Sequence, residues 1–440
     1  MKKIFTLFFF FALLGFTYTN AQQWTTVGSA NFTTAYASSP SLAFNSAGDP
    51  YVAFSDGANG GKLTVMKYTG GSWQILGSAG VSAGSVSSVS MAVSQNVVLV
   101  AFADAANSGK ATVMRYNGAS WTNVGGAGFT PGAAYYTSLG LDSSGYPYVA
   151  FSDANASNKA SVMHLNNSNS WVNLGNAGFS NQANYVTMAF YHNTPYVAYA
   201  DGGQGYAASV MAYNGSSWVQ TGNAGFTGVI TAVSIATNSN GTPYVASANN
   251  GGAVNTLNNN TWAAVGSGFS GAVSAIDMAI DGNNVPYVFY PDNANGSKAR
   301  CEKYSNSSWA DVGTPGFSPG KIYSPVIAIG NGNIPYVAYL DYTDSNKITV
   351  MAYGTPTTGI QDVETAPLHI YPNPAHNEIN LENATGLSRI NIYNLSGQVV
   401  ATYSQQALNK INVKELSPGM YILEATGAQG TIYRHKILKD

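Results

Sequence analysis

Disulfides, charge and long apolar runs are all scarce in this chain. Cys301 is the only cysteine among 440 residues, so no intramolecular disulfide forms and the fold must be held by packing. Charged residues make up 9% and the formal net charge is −2, which leaves no basic surface for neutralising nucleic-acid phosphates. Beyond Phe16 no stretch approaches the roughly 20 apolar residues of a membrane helix. Residues 22–354 contain a single glutamate, Glu302, and two arginines, Arg115 and Arg300. What fills the space is Gly, Ser, Asn and Thr beside 45% hydrophobic residues, a composition of many short strands joined by tight turns rather than of disorder.

The first residues read as a Sec signal peptide spanning 1–21. Lys2 and Lys3 precede an apolar run from Ile4 to Phe16, and Thr19-Asn20-Ala21 supplies small residues for cleavage, so the exported chain is expected to start at Gln22 without a membrane anchor.

Tryptophan then marks a period. Trp24, Trp73, Trp121, Trp171, Trp218, Trp262 and Trp309 recur every 44 to 50 residues, the spacing of stacked supersecondary units. No helical three-four periodicity lies between them, whereas four short extended segments do. In one unit these are Trp121–Val124, Ser138–Leu141, Pro147–Phe151 and Ser161–His164. Large residues repeat at one position of the second segment, at Met91, Leu139, Met188, Ile235, Met278 and Ile327. Four strands make a propeller blade, and the fold expected is all-β: a seven-bladed β-propeller over 22–354 with four-stranded blades.

The two ends of this region complete each other. Trp24 opens a Trp segment with no blade before it, and Ile348–Tyr353 ends a blade with no Trp segment after it. Residues 24–28 are therefore expected to supply the outermost strand of the blade that begins near Ser324, closing the ring and removing its exposed edges. The Ser-Leu-Ala segments become innermost strands and the Trp segments outermost ones. One face then carries short turns, and the other carries blade-to-blade crossings and the loops that start at Asp56, Asp104 and Asp153. Scaffold-supported loops of the second kind are where binding usually resides.

Several residue sets on that crossing face are candidates for function. Asp56, Asp104, Asp153, Asp201, Asp292 and Asp341 end the second strand in six blades, with Asn249 in the seventh. A sugar- or calcium-binding rim is one reading. The other is a structural ring, because Lys62, Lys110, Lys159, Lys298 and Lys347 each follow their aspartate by six residues, a covariation expected of cross-hairpin ion pairs or turn caps. Asp153-x-Asn155-x-Ser157 alternates oxygen donors but lacks the glycine and distal glutamate of a calcium loop, so no metal or other cofactor is expected. Asp277 replaces the Ser or Thr found at Ser41, Ser90, Ser138, Thr187 and Ser234, and is either a channel-facing carboxylate or a hydrogen-bonded structural substitution. Tyr36, Tyr135, Tyr136, Tyr185 and Tyr323 fall in the crossings before innermost strands, where rings can stack on sugars and hydroxyls can hydrogen-bond them. Cys301 sits at an apolar strand position and reads as an inert buried thiol. His164 and His192 belong to no metal or triad spacing.

After Tyr353 the repeat stops. A linker over 355–366 leads into a more charged segment, 367–440, with alternating strands at Leu368–Tyr371, Glu378–Leu381, Arg389–Tyr393 and Met420–Glu424, which suggests a small β-sandwich. Tyr371-Pro-Asn-Pro374, Ile392-Tyr-Asn-Leu-Ser-Gly397, Leu416-Ser-Pro-Gly-Met-Tyr-Ile422 and the ending Lys436-Ile-Leu-Lys439 resemble the type A C-terminal sorting domain of the Bacteroidetes type IX secretion system. On that resemblance Pro372, Asn373, Pro374, Gly397, Pro418, Gly419, Lys436 and Lys439 form the sorting motif. It implies Sec transport, recognition by the outer-membrane translocon and its C-terminal signal peptidase, and a product that is released or attached to the outer surface.

The propeller resembles kelch and lectin propellers in architecture only, without a kelch double glycine or an Asp-box. Sialidase-like propellers need an arginine triad, which two arginines cannot build. The expectation is a non-catalytic, extracellular binding or adhesion protein for glycans, without a nucleic-acid partner. Two alternatives stay open. A polysaccharide-acting enzyme requires a unique close acid pair near the central channel, and a structural envelope component requires an apolar protein-binding patch.

Overall fold

A computed structural model describes residues 22–94, 96–249, 251–269, 273–354, 369–382, 387, 389–394, 398–404, 409–426 and 432–440. The expected signal peptide over 1–21, the expected linker over 355–366 and Gly397 lie outside the described residues. The chain forms two compact units, 1–356 and 357–440.

The first unit is a ring of seven four-stranded antiparallel sheets. Blade I comprises Ala37–Phe44, Pro50–Asp56, Lys62–Thr69 and Ser72–Ile75, from innermost to outermost strand. Blade II comprises Val86–Ser94, Val97–Asp104, Lys110–Tyr116 and Trp121–Asn123, and blade III Ala134–Leu141, Pro147–Asp153, Lys159–Leu165 and Trp171–Asn173. Blade IV holds Ala183–Tyr191, Thr194–Asp201, Ala207–Tyr213 and Trp218–Gln220. Blade V holds Ala232–Thr237, Pro243–Asn249, Gly251–Asn258 and Thr261–Ala264. Blade VI holds Asp277–Ile280, Pro286–Asp292, Lys298–Ser305 and Ser308–Asp311. Blade VII joins Ile322–Gly330, Ile334–Asp341 and Lys347–Gly354 to the chain's own beginning, Gln23–Thr26. Gln23 lies opposite Gly354 and Thr26 opposite Met351, so the ring closes as the unmatched half-blades require.

Packing between blades follows from the alternation of each strand. Val52, Ala53, Val100, Ala101, Val149, Ala150, Val197 and Ala198 are all fully buried, and large side chains of one blade meet small ones of the next. The tryptophans fasten the outer rim. Every indole Nε1 donates to a carbonyl of the preceding blade, from Trp24 to Val312 at 2.6 Å through to Trp309 to Val265 at 2.7 Å. The approach leaves no room for a side chain at the preceding turn. At Gly125, with φ at 70°, a Cβ would sit 2.8 Å from the Trp171 ring.

A second fastening runs along the innermost strands. Oγ of Ser41, Ser90 and Ser138 accepts the backbone N–H of Met91, Leu139 and Met188 in the next blade at 2.9–3.0 Å, and Ser234 accepts that of Met278 at 3.2 Å. Each such bond satisfies an amide that the inner edge of a sheet would otherwise leave unpaired.

The second unit is a small sandwich. A three-stranded sheet of His369–Tyr371, Glu378–Glu382 and Lys410–Asn412 faces a four-stranded sheet ordered Val399–Tyr403, Arg389–Tyr393, Gly419–Thr426 and Ile432–Lys439. Ile379, Leu381 and Ile411 from one sheet share a core with Ile390, Ile392, Leu423 and Ile437 from the other. Asn373 pins the Pro372–Pro374 segment to the last strand: its Nδ2 donates to the Lys436 carbonyl at 2.9 Å, and its Oδ1 accepts the Leu438 amide at 2.8 Å. Pro418 and Gly419 enter the adjacent strand, and Lys436 and Lys439 lie on the last one.

Candidate functional site

The six repeated aspartates are not an open ring. Asp56, Asp104, Asp153, Asp201, Asp292 and Asp341 are 1–6% exposed, and each caps the short turn that follows it. Oδ1 accepts the amide two residues on, at 2.9–3.1 Å. In four blades Oδ2 takes a hydroxyl from the next strand, as Thr64 gives to Asp56 at 2.8 Å and Ser209 to Asp201 at 2.9 Å. The lysines do not pair with them. Asp56 and Lys62 are direct cross-strand neighbours, yet among the described residues no ion pair joins any of the five lysines to its aspartate. The carboxylate turns inward to the hydroxyl, so the ion-pair version of the sequence expectation is corrected to turn capping. Asp104→Ala should cost about 1–3 kcal/mol, because it removes a cap and strands the buried Thr112 hydroxyl. Urea denaturation checks this; an unchanged midpoint would contradict it.

Asp277 belongs to the inner-strand fastening. Its Oδ2 accepts the Ile327 amide at 2.9 Å, as the serines do elsewhere, and its Oδ1 accepts the Ser234 hydroxyl at 2.7 Å. The residue keeps some accessible surface, but its carboxylate is enclosed between blades, and that burial raises its pKa against the lowering effect of its hydrogen bonds. A folded carboxyl that holds its proton to higher pH than the unfolded one loses stability as pH rises from about 4 through the raised value. Asp277→Asn lacks this dependence. The stability of the unaltered protein relative to this variant should therefore fall as pH rises above about 4, and parallel thermal-melting curves would refute it.

Blade VI concentrates charge, with Tyr290, Arg300 and Glu302 standing in register with Phe102, Thr112 and Met114 of blade II. Arg300 reaches Asp311 at 2.8 Å, Asp292 at 3.3 Å and Glu302 at 3.4 Å, and the Tyr290 hydroxyl donates to Glu302 at 2.5 Å. Burial raises the Glu302 pKa, opposed by Tyr290 and Arg300. Tyr290 is 0% and Glu302 5% exposed, so the Tyr290–Glu302 part of this cluster holds the blade together from within. Among the described residues no group of three or more His, Cys, Asp or Glu side chains is placed to hold a metal ion. Cys301 is buried, and burial pushes its thiol pKa well up.

The tyrosines remain accessible. Tyr36, Tyr135, Tyr136 and Tyr323 are 37–56% exposed on the crossing face, and Tyr185 is half-buried. Four of the five lie inside innermost strands rather than in the crossings, which corrects their expected placement. The cause is a β-bulge. Tyr135 pairs with Ser152 and Ser138 with Ala150, leaving one extra residue on the inner strand, and blades I, II, IV and VII shift in the same way. The residue within each bulge has a positive φ: Ser39, Ser88 and Ser324 in three blades, but Tyr136 and Tyr185, both at 55°, in blades III and IV. Their rings meet at 5.2 Å with a 52° tilt.

The sequence reading overlooked neighbours of this set. Tyr342, 57% exposed, meets Tyr323 edge-on at 5.5 Å, with Lys321 Nζ 4.6 Å above the Tyr323 ring. Tyr206, 37% exposed, lies beside Gln182 on the blade IV loop. Tyr342 directly follows Asp341 where sibling blades carry Gly57 or Ala105, and that departure from the repeat was the available signal. Tyr36 lies flat over Gly57, where a Cβ would come within 2.5 Å of its ring.

Residues 369–440 match the family described as secretion system C-terminal sorting domain. That domain marks the protein for handling by the type IX secretion system and for export to the cell surface or the extracellular space. No curated protein sequence matches the chain. Among solved structures, a polysaccharide lyase of family PL25, an ulvan lyase, superposes with a TM-score of 0.50 at 10% identity over 76% of this chain and 96% of that one. SapL1 lectin in complex with alpha methyl fucoside gives 0.45 at 14% identity over 64% and 96%. AofleA from Arthrobotrys oligospora gives 0.45 at 7% identity over 67% and 90%. At such identity the lyase match concerns the fold alone.

Proposed function

We propose that this exported propeller is a non-catalytic glycan-binding protein whose site is the tyrosine cluster of the crossing face, centred on blades III and IV. The observation that carries the reading is the conformation of Tyr136 and Tyr185. A bulky L-residue at φ 55° costs about 1 kcal/mol or more, and sibling blades use serine there. Strain retained at an aromatic pair that is partly open to solvent points to a task beyond folding. Two tilted rings, with Tyr135 next in the chain, suit the apolar face and hydroxyl rim of a sugar. The six repeated carboxylates of this face are spent on turn caps, which supports binding without chemistry. Incubation with neutral and acidic polysaccharides, followed by analysis for new reducing or unsaturated chain ends, tests that half of the reading. Binding without new ends is expected, and time-dependent chain cleavage would overturn it.

A further inference from the structure

The opposite face, made of short turns, carries two equivalent grooves. One lies between blades II and III, has a volume of about 310 Å³, and is lined by Leu99, Arg115, Val124, Asp142, Tyr146 and Leu165 among others. The other lies between blades VI and VII, has the same volume of about 310 Å³, and places Tyr287, Lys303 and Val312 in the positions of Leu99, Arg115 and Val124. The register makes the equivalence explicit, since Arg115 stands opposite Leu99 as Lys303 stands opposite Tyr287. A cation thus recurs at one position of a repeated concavity.

Among the described residues the charge of Arg115 has no internal partner. Lys67, at the same register in blade I, is paired with Asp49 at 2.8 Å, and Arg300 is held by three carboxylates. Among the described residues no ion pair or hydrogen bond engages the Arg115 side chain, which is exposed to solvent. The carboxylate in the same groove is committed elsewhere. Asp142 Oδ1 accepts the amides of Ser144 and Tyr146, each at 2.9 Å. A guanidinium presents a rigid fork of donors that matches carboxylate and sulfate oxygens. Beneath it the floor of Leu99, Val124 and Leu165 is apolar, and the Tyr146 ring at the wall is 45% exposed.

We propose that the groove between blades II and III binds an acidic sugar, with Arg115 taking the uronate carboxylate or sulfate ester and Tyr146 covering a ring face. The volume suits a ligand of one to three sugar units. Asp142 in the lining favours a singly charged unit over a multiply charged one. This site is separate from the crossing-face tyrosines and stands independently of them.

Titration calorimetry on the purified protein tests it, with tri-galacturonate, a monosulfated disaccharide and neutral cellotriose as probes, at low and high salt. An acidic probe should bind more tightly than cellotriose, weaken as salt rises, and lose at least about tenfold in affinity in Arg115→Ala. Arg115→Lys should recover part of the loss, and Tyr136→Ser/Tyr185→Ser should leave it unchanged. Comparison of the two acidic probes tells carboxylate from sulfate. The proposal fails if Arg115→Ala binds both acidic probes as tightly as the unaltered protein, if neither outbinds cellotriose, or if only the tyrosine variant loses them. The melting temperature of Arg115→Ala should not move, since the side chain is exposed.

Discussion

Trp24→Ala should destabilise the propeller by about 3–5 kcal/mol and make it aggregate, although the substitution lies only three residues into the described chain. Trp24 is 8% exposed, stacks on Phe317 at 4.5 Å, meets Tyr353 at a tilt at 5.4 Å, and donates to Val312 at 2.6 Å. Through these contacts it holds Gln23–Thr26 against Lys347–Gly354, the pairing that closes the ring. Losing that strand bares a full sheet edge, a template for pairing with other chains. Trp121→Ala is the fitting comparison. Trp121 makes the same hydrogen bond, to Leu76 at 2.7 Å, but lies in a strand covalently continuous with its own blade. It should lose stability without aggregation. Chemical denaturation with light scattering separates the two, and equal behaviour of both variants would contradict closure by the first strand.

The second large effect concerns ligand. Tyr136→Ser/Tyr185→Ser installs the residue that Ser39, Ser88 and Ser324 already carry at the same bulge, so the backbone should tolerate it with little change in stability. Two aromatic rings lost from a sugar site should still cost about 2–3 kcal/mol of binding, roughly 30- to 150-fold in Kd. A loss of binding at unchanged melting temperature is the expected result. Unchanged affinity would remove the tyrosine pair from the site, and a collapse of the fold would assign both rings to packing.

The parts of this structure legible in the sequence are those the repeat enforces. Tryptophan spacing gave seven units because each indole must reach the blade before it, and the unmatched ends gave the closure because a half-blade leaves an open edge. The bulge was not legible. One extra residue breaks the two-residue alternation, so Tyr136 and Tyr185 read as loop residues although they lie within innermost strands. The aspartate–lysine covariation was visible, but its geometry was not, because a six-residue spacing fixes cross-strand neighbours and leaves side-chain direction undetermined. In blade VI, Tyr290, Arg300 and Glu302 lie on one blade face, and only the register shows that their neighbours in space are each other. The sorting domain was the most legible part, since its motifs are local in sequence.

The most direct test of the account is binding of the purified protein to a broad panel of soluble glycans and insoluble polysaccharides, with the unaltered protein and Tyr136→Ser/Tyr185→Ser run side by side. The account predicts retention on a subset of glycans that the tyrosine variant loses while remaining folded. Absence of binding across the panel, or retention identical in the two proteins, would contradict it.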